Sequence, residues 1–327
     1  MNQEAIFSAY QSCTLCPRMC RADRYEKSGF CRAGTKPKLA RAALHLWEEP
    51  CLSGKCGSGA VFFSNCTLRC IFCQNHQISA EGFGQELSIQ QLADIFLRLQ
   101  DKGAANIDLI TATHYLPSVL AALDLVRHRL EIPIVYNCGG YERAETIRLL
   151  DGYIDIYLPD LKYESSDLAR RFSAAPDYCA YAIPAIREMI RQCGIPGICV
   201  RDIEQSAVSN CCSYAKGGLL KRGVILRHLV LPGHRADSIA LLSRIKKELP
   251  EGQFLISLMS QYTPFYKAAL YPELKRRLTS FEYNKVVDEA LRLGLDGYMQ
   301  EKSSAREEYT PAFNLEGVPG AADAAKD

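Results

Sequence analysis

No apolar run in this 327-residue chain approaches the length of a membrane span. The first residues, MNQEAIFSAYQSC, also lack the basic and apolar regions of a secretory leader. Neither a membrane partner nor export is expected, and the cytoplasm is the expected compartment. An excess of one charge is missing too: 39 Lys and Arg face 37 Asp and Glu, for a formal net charge of +2. That balance offers no electrostatic footprint for nucleic acid or anionic lipid. There is no coiled-coil heptad and no repeat beyond an alternation of strand and helix. Without a leader, the 15 cysteines do not read as a disulfide framework.

The cysteines are clustered at the front of the chain. Cys13, Cys16, Cys20 and Cys31 fall in the first stretch, Cys51 and Cys56 flank LSGK, and Cys66, Cys70 and Cys73 lie in SNCTLRCIFCQN. Clustered thiols in a reducing compartment point to thiolate-bound metal. Cys138, Cys179, Cys193, Cys199, Cys211 and Cys212 are dispersed and read as small buried apolar residues, the last two within an insertion of unassigned role.

From residue 59 onward strands and helices alternate. GAVFFSN, NIDLITAT, IPIVYNCGG, IDIYLPDLK, GVILRHLVLP and QFLISLMSQY read as six strands. Between them, SIQQLADIFLRLQDKG carries a Ser88 cap and an apolar face, YLPSVLAALDLVRHRL has Pro in its first turn, and ADSIALLSRIKKELP ends at Pro250. EYNKVVDEALRLGLDGY reads as a last amphipathic helix with Gly294 as its cap. Repeated βα units with right-handed crossovers curl one way, which predicts an open partial barrel; an open doubly wound sheet is the alternative. The expected division is a Cys-rich module over 1–50, a barrel over 51–300 and an extension over 301–327 with a disordered tail. Either sheet binds ligands at the carboxyl ends of its strands, where the Cys loop, TATHY, NCGG, PDLK and SQYTP all fall.

Three cysteines spaced Cys-x3-Cys-x2-Cys can aim three thiolates at one centre. Zinc would need a fourth ligand, with His76 within reach, or a water. An iron–sulfur cluster takes one cysteine per iron, so three would leave one iron open. Cys13, Cys16, Cys20 and Cys31 make a complete shell for either zinc or a four-iron cluster. Asp160 and Lys162, two apart on a strand, face one way. Of Arg227 and His228, alternation sends one toward the barrel interior, where a charged group needs a partner.

CTLRCIFC, with Phe72 just before its third cysteine, resembles the cluster motif of the radical S-adenosylmethionine (SAM) enzymes. Within that superfamily the chain is similar to activating enzymes of glycyl-radical enzymes, and most so to pyruvate formate-lyase activating enzyme-like proteins. The stretches LHLWEEPCLSGKCGSGAVFFSNCTLRCIFCQNHQIS, DIYLPDLKY, RHLVLPG and AFNLEGV carry that similarity, which spans nearly the whole chain. It implies an α/β fold, a partial (β/α)6 TIM-type barrel. It also implies a [4Fe–4S] cluster on Cys66, Cys70 and Cys73 whose open iron chelates SAM. One electron would then break a carbon–sulfur bond, giving methionine and a 5′-deoxyadenosyl radical that abstracts hydrogen from a substrate. That substrate is a glycine of a partner glycyl-radical protein or a small molecule, and the electron comes from a flavodoxin- or ferredoxin-like donor. The competing expectation is a non-enzymatic iron–sulfur or zinc protein serving electron transfer or assembly.

The resemblance also assigns roles. Phe72 packs near the adenine, and Asn137 bonds a ribose or carboxylate. Where the family often has Gly-Gly-Glu holding the SAM amino group, this chain has TATHYLP, which makes Thr113 and His114 the candidates for that contact. The Gly139–Gly140 pair ends a different strand and is not that segment. Asp160 and Lys162 have the activating enzymes' Asp-x-Lys spacing and face the radical site. Arg227 pairs with the SAM carboxylate, and Gln261 approaches the adenine or the substrate. At the front of the chain, Cys13, Cys16, Cys20 and Cys31 bind zinc structurally or hold an accessory cluster.

Overall fold

A computed structural model describes residues 6–199, 218–300 and 311–320. Cys211 and Cys212, with the insertion around them, lie outside the described residues, as do 301–310 and 321–327 of the carboxyl-terminal extension. The strands and main helices follow in chain order: β1 (Lys38–His45), β2 (Ser58–Phe63), β3 (Gln85–Glu86), α1 (Ile89–Asp101), β4 (Ile107–Ile110), α2 (Leu116–Val126) and β5 (Ile134–Cys138). Then come α3 (Ala144–Arg148), β6 (Ile156–Pro159), α4 (Ser166–Ser173), α5 (Tyr178–Cys193), β7 (Gly197–Cys199), β8 (Leu219–Leu229), α6 (Arg235–Glu248), β9 (Leu255–Met259), α7 (Ser280–Arg292) and β10 (Gly297–Met299).

The six expected strands are β2, β4, β5, β6, β8 and β9, and they stand side by side in that order, all parallel. β10 adds a further parallel strand beyond β9. The last helix, expected to be capped at Gly294, is α7, which ends at Arg292; beyond that cap Tyr298 lies in β10, partly buried against the barrel interior. At the other edge β1 and β3 are antiparallel. The sheet path runs from β10 to β3 without closing, so the barrel is partial, with helices on its outer face.

Alternation along the strands sorts residues between two cores. Tyr136 on β5 and Tyr157 on β6 sit opposite each other and join the main core under the helices. Val135, Ile156, Leu158 and Ile225 face the other way, into the barrel, and close its lower interior with Cys51 and Leu52. Cys51 and Leu52 come from a short helical turn, Pro50–Ser53, between β1 and β2. Asn106 fixes that turn by donating from Nδ2 to the Leu52 carbonyl at 2.9 Å. The segment from β1 to β2 therefore plugs the amino ends of the strands, and Glu48 and Glu49 lead into it.

α1 begins with the expected Ser88 cap: Gln91 donates its backbone N–H to Ser88 Oγ at 3.1 Å, and Ser88 donates to Gln91 Oε1 at 2.9 Å. Cys138 and Cys193 are buried in the main core, as dispersed cysteines were read. The extension does not simply trail away. Leu315 donates to the Ala40 carbonyl and Ala42 to the Glu316 carbonyl, so 311–320 run beside β1.

Candidate active site

Residues that follow the strands enclose one cavity of about 210 Å³ at the carboxyl ends of the barrel. Cys66, Cys70 and Cys73 line it, together with Phe72, Asn137, Asp160, Lys162, Arg227 and Gln261. The loop after β2 presents the thiols through turns at Asn65 (φ 75°) and Arg69 (φ 55°), while buried Leu68 and Phe72 pin it down. Phe72 packs edge-on against Phe172, with Tyr262 on another side.

Each of the three sulfurs accepts a hydrogen bond. The Leu68 N–H donates to Cys66 Sγ at 3.3 Å, the Ser173 hydroxyl to Cys70 Sγ at 2.9 Å, and the Ser79 hydroxyl to Cys73 Sγ at 3.3 Å. Donors aimed at sulfur favour the thiolate, the form that binds metal. Burial opposes it, pushing the Cys73 thiol up to about 12 and raising Cys70 as well, the latter against the pull of the Lys162 ammonium. Thiolates there need a cation to hold them. A cubane takes one cysteine per iron, so its ligands must rim a space rather than meet at a point. Three donor-supported sulfurs around one cavity fit that group. His76, the fourth ligand of a zinc reading, instead stacks on Tyr266 with ring centroids 5.0 Å apart and pairs with Glu81 at 3.7 Å.

Below the cysteines the cavity wall is a charged network. Asp160 accepts from Lys162 Nζ at 2.6 Å on one oxygen and from Arg227 Nε at 3.0 Å on the other. Burial alone would raise its pKa, but Lys162 and Arg227 outweigh burial and hold the carboxyl below its ordinary range. Arg227 also donates to Asn137 Oδ1 at 2.6 Å and to Glu48 Oε2 at 3.4 Å. Asn137 in turn donates to Asp108 Oδ2 at 3.2 Å. Burial raises the pKa of Glu48, Glu49 and Asp108, which share Arg227 as the nearby cation. Asp108 Oδ1, Glu49 Oε2 and Asn75 Oδ1 are buried without a partner.

Alternation on β8 is thereby settled. Arg227 faces in, whereas His228 points out, donating from Nδ1 to the Leu161 carbonyl at 2.7 Å and accepting at Nε2 from Ser238 on α6 at 2.9 Å. Gln261 lines the cavity and accepts from Gln300 at 2.9 Å.

Thr113 and His114, expected at the SAM amino group, are fully buried and lie outside the cavity lining. β4 ends at Ile110, and Thr113–Tyr115 is a 3-10 turn that carries both side chains into the protein. Thr113 donates to Glu142 at 2.7 Å, and His114 Nε2 donates to the Ser64 carbonyl at 2.8 Å. Burial pushes His114 down to about 3, so it is neutral. The residues that reach the cavity from this strand end are Ile110 and Thr111. Glu48, Glu49 and Asp108 were also missed. Asp108, set among the apolar Ile107, Leu109 and Ile110 of the strand, was a legible signal; Glu48 and Glu49 lie before the barrel, where nothing local marks them.

Residues 60–203 match the family model of the Radical SAM superfamily. The chain carries a radical SAM domain. Its match begins in β2, directly before the cysteine loop, and covers β4, β5 and β6. The uncharacterized protein MJ0674 of Methanocaldococcus jannaschii is 28% identical over 306 residues, which is 90% of this chain and 79% of that protein. Among solved structures, Streptococcus suis SuiB bound to S-adenosylmethionine aligns with a TM-score of 0.45 at 13% identity, over 74% of this chain and 50% of SuiB. A domain of pyruvate-formate lyase-activating enzyme from Bacteroides vulgatus aligns with a TM-score of 0.33 at 12% identity, over 65% of this chain and 91% of that domain. This chain thus spans about half the length of SuiB. Among the described residues, no helix is long and apolar enough to cross a membrane.

Proposed function

We propose that this protein is an enzyme that reductively cleaves SAM and takes a hydrogen atom from a glycine of a partner protein. One observation carries the first half: the three cysteines of the family-matched loop line the same cavity as Asn137, Asp160, Lys162 and Arg227. The Asp-x-Lys pair, a spacing shared with activating enzymes, supports the second half.

Cys66, Cys70 and Cys73 would hold a [4Fe–4S] cluster, which would leave one iron without a cysteine and would supply the electron for reductive cleavage of SAM. The chain's own work is placement. Ser79 and Ser173 orient two of the thiolates through hydrogen bonds to sulfur. Lys162 sets a positive charge beside Cys70, which favours its thiolate. Asp160 is ionised and locked between two cations, so it fixes the positions of Lys162 and Arg227 in the cavity wall. Phe72 and Tyr262 make the cavity's apolar side, which excludes water from a reactive species.

Anaerobic reconstitution with iron and sulfide, followed by reductant and SAM, tests the reading. 5′-Deoxyadenosine should form in wild type and vanish in Cys70→Ala. A loaded, reduced protein that makes none would favour a non-enzymatic iron–sulfur protein. Transfer of deuterium from a glycine-labelled partner into 5′-deoxyadenosine supports the protein substrate; transfer only from a small molecule rejects it.

A further inference from the structure

The SAM site leaves Cys13, Cys16, Cys20 and Cys31 unused. Cys13, Cys16 and Cys31 are buried and Cys20 is exposed. The segment folds back on itself: Cys13 donates to the Ala22 carbonyl at 3.0 Å, and Arg21 donates to the Cys13 carbonyl at 2.9 Å. Cys13 therefore lies across from the turn that carries Cys16 and Cys20. Met19 and Arg21, flanking Cys20, and Arg32, after Cys31, all have positive φ (38°, 51° and 62°). Side chains adopt that backbone only at a cost of about 1–2 kcal/mol each, so something must hold the turns.

The turns bring the four cysteines together. Cys20 Sγ lies 4.0 Å from the Cys13 carbonyl oxygen. The Met19 N–H donates to the Cys16 carbonyl at 3.0 Å and closes the turn between Cys16 and Cys20, and the Arg32 N–H donates to the Gly29 carbonyl at 3.0 Å and closes the turn that carries Cys31. A Cβ built on Gly29 would lie 2.3 Å from Cys20 Sγ, so only glycine admits the sulfur there. The segment has little apolar core of its own: its separate cluster is Tyr10, Cys13 and Leu15 with Phe7 and Ala9 packed on them, while Cys31 and Ala33 join the main core. Small lobes with so little core are commonly stapled by a metal.

The segment abuts the radical-forming loop. Arg18 donates from Nε to the Thr67 carbonyl and from an Nη to the Ser173 carbonyl, both at 3.0 Å. Thr67 follows Cys66 directly, and Ser173 is the residue that donates to Cys70. The Phe30 ring meets the guanidinium of Arg18 at 4.0 Å and that of Arg69 at 4.1 Å, and Arg69 directly precedes Cys70. Among the described residues, no three Cys, His, Asp or Glu side chains stand close enough to share one metal ion. The same is true of Cys66, Cys70 and Cys73, where each thiolate takes its own iron.

We propose that Cys13, Cys16, Cys20 and Cys31 hold a second four-iron cluster, seated against the loop that binds the first. Elemental analysis of the anaerobically reconstituted full chain tests this, with iron, acid-labile sulfide and zinc all counted. Wild type should carry about eight irons per chain, and the variant Cys66→Ser/Cys70→Ser/Cys73→Ser about four, with cluster absorbance retained. Four irons in wild type and none in the triple variant would overturn the proposal, as would zinc on the four thiols. Should the triple variant not fold, the wild-type count and the number of reduced cluster spins decide alone. Eight irons without SAM cleavage would refute the proposed function and leave this site standing; cleavage with four irons would do the reverse.

Discussion

Arg227 lies on an apolar strand, and its guanidinium meets three side chains supplied from three places: Asp160 after β6, Asn137 on β5, and Glu48 from the segment before the barrel. Removing it strands those groups in a buried setting. Arg227→Ala should therefore destabilise the fold by about 3–5 kcal/mol in a denaturant titration, the usual effect of breaking a buried pair. Glu48→Gln should cost much less, about 1 kcal/mol, because a neutral amide still accepts the hydrogen bond. Equal stability of Arg227→Ala and wild type would mean that the network is not formed. Glu142 makes a second residue-scale case. Burial pushes its carboxyl up from 4.5 to about 8, although the Thr113 hydroxyl favours the charged form. Tyr136 and Cys138 also face it, and Cys16 lies near enough to feel its charge. The folded chain thus keeps a proton that the unfolded chain releases. The stabilisation is complete below 4.5 and falls as pH rises toward 8, by at most about 1.4 kcal/mol per pH unit. Glu142→Gln should flatten that decline when unfolding midpoints are compared between about pH 5 and pH 8.5.

At the scale of elements, the site depends on how β5 and β6 end. Gly140 follows β5 with φ 75°, and a Cβ there would lie 1.9 Å from the Asp160 carbonyl oxygen. Tyr178 of α5 ties the same junction by donating to the carbonyls of Gly139 at 2.8 Å and Asp160 at 2.9 Å. Gly140→Ala must push β6 away and carry Asp160 and Lys162 with it. We expect at least about 2 kcal/mol of lost stability together with weaker SAM binding, measured by calorimetry on reconstituted protein. Unchanged affinity would separate the strand end from the SAM site. The six βα units were legible in sequence because each strand is a short apolar run bounded by caps and turns. The short β10 was not: GYM has neither length nor alternation, and its parallel pairing with β9 makes it a strand.

For the molecule as a whole, the barrel is assembled from pieces distant in sequence. The Pro50–Ser53 turn closes the amino ends of the strands, residues 311–320 run beside β1, and the Cys13–Cys31 segment covers the cysteine loop. The chain by itself determined the parallel βα order and the three thiols after the first barrel strand, because local periodicity and spacing encode both. It also put Asp160 and Lys162 on one face, which needs only the two-residue period of a strand. Only the tertiary structure decided that Arg227 rather than His228 faces inward, that Thr113 and His114 turn away from the cavity, and that Glu48 reaches Arg227 beneath it. Those outcomes depend on strand register and on which distant segment fills the barrel, and neither is written in any local stretch of residues.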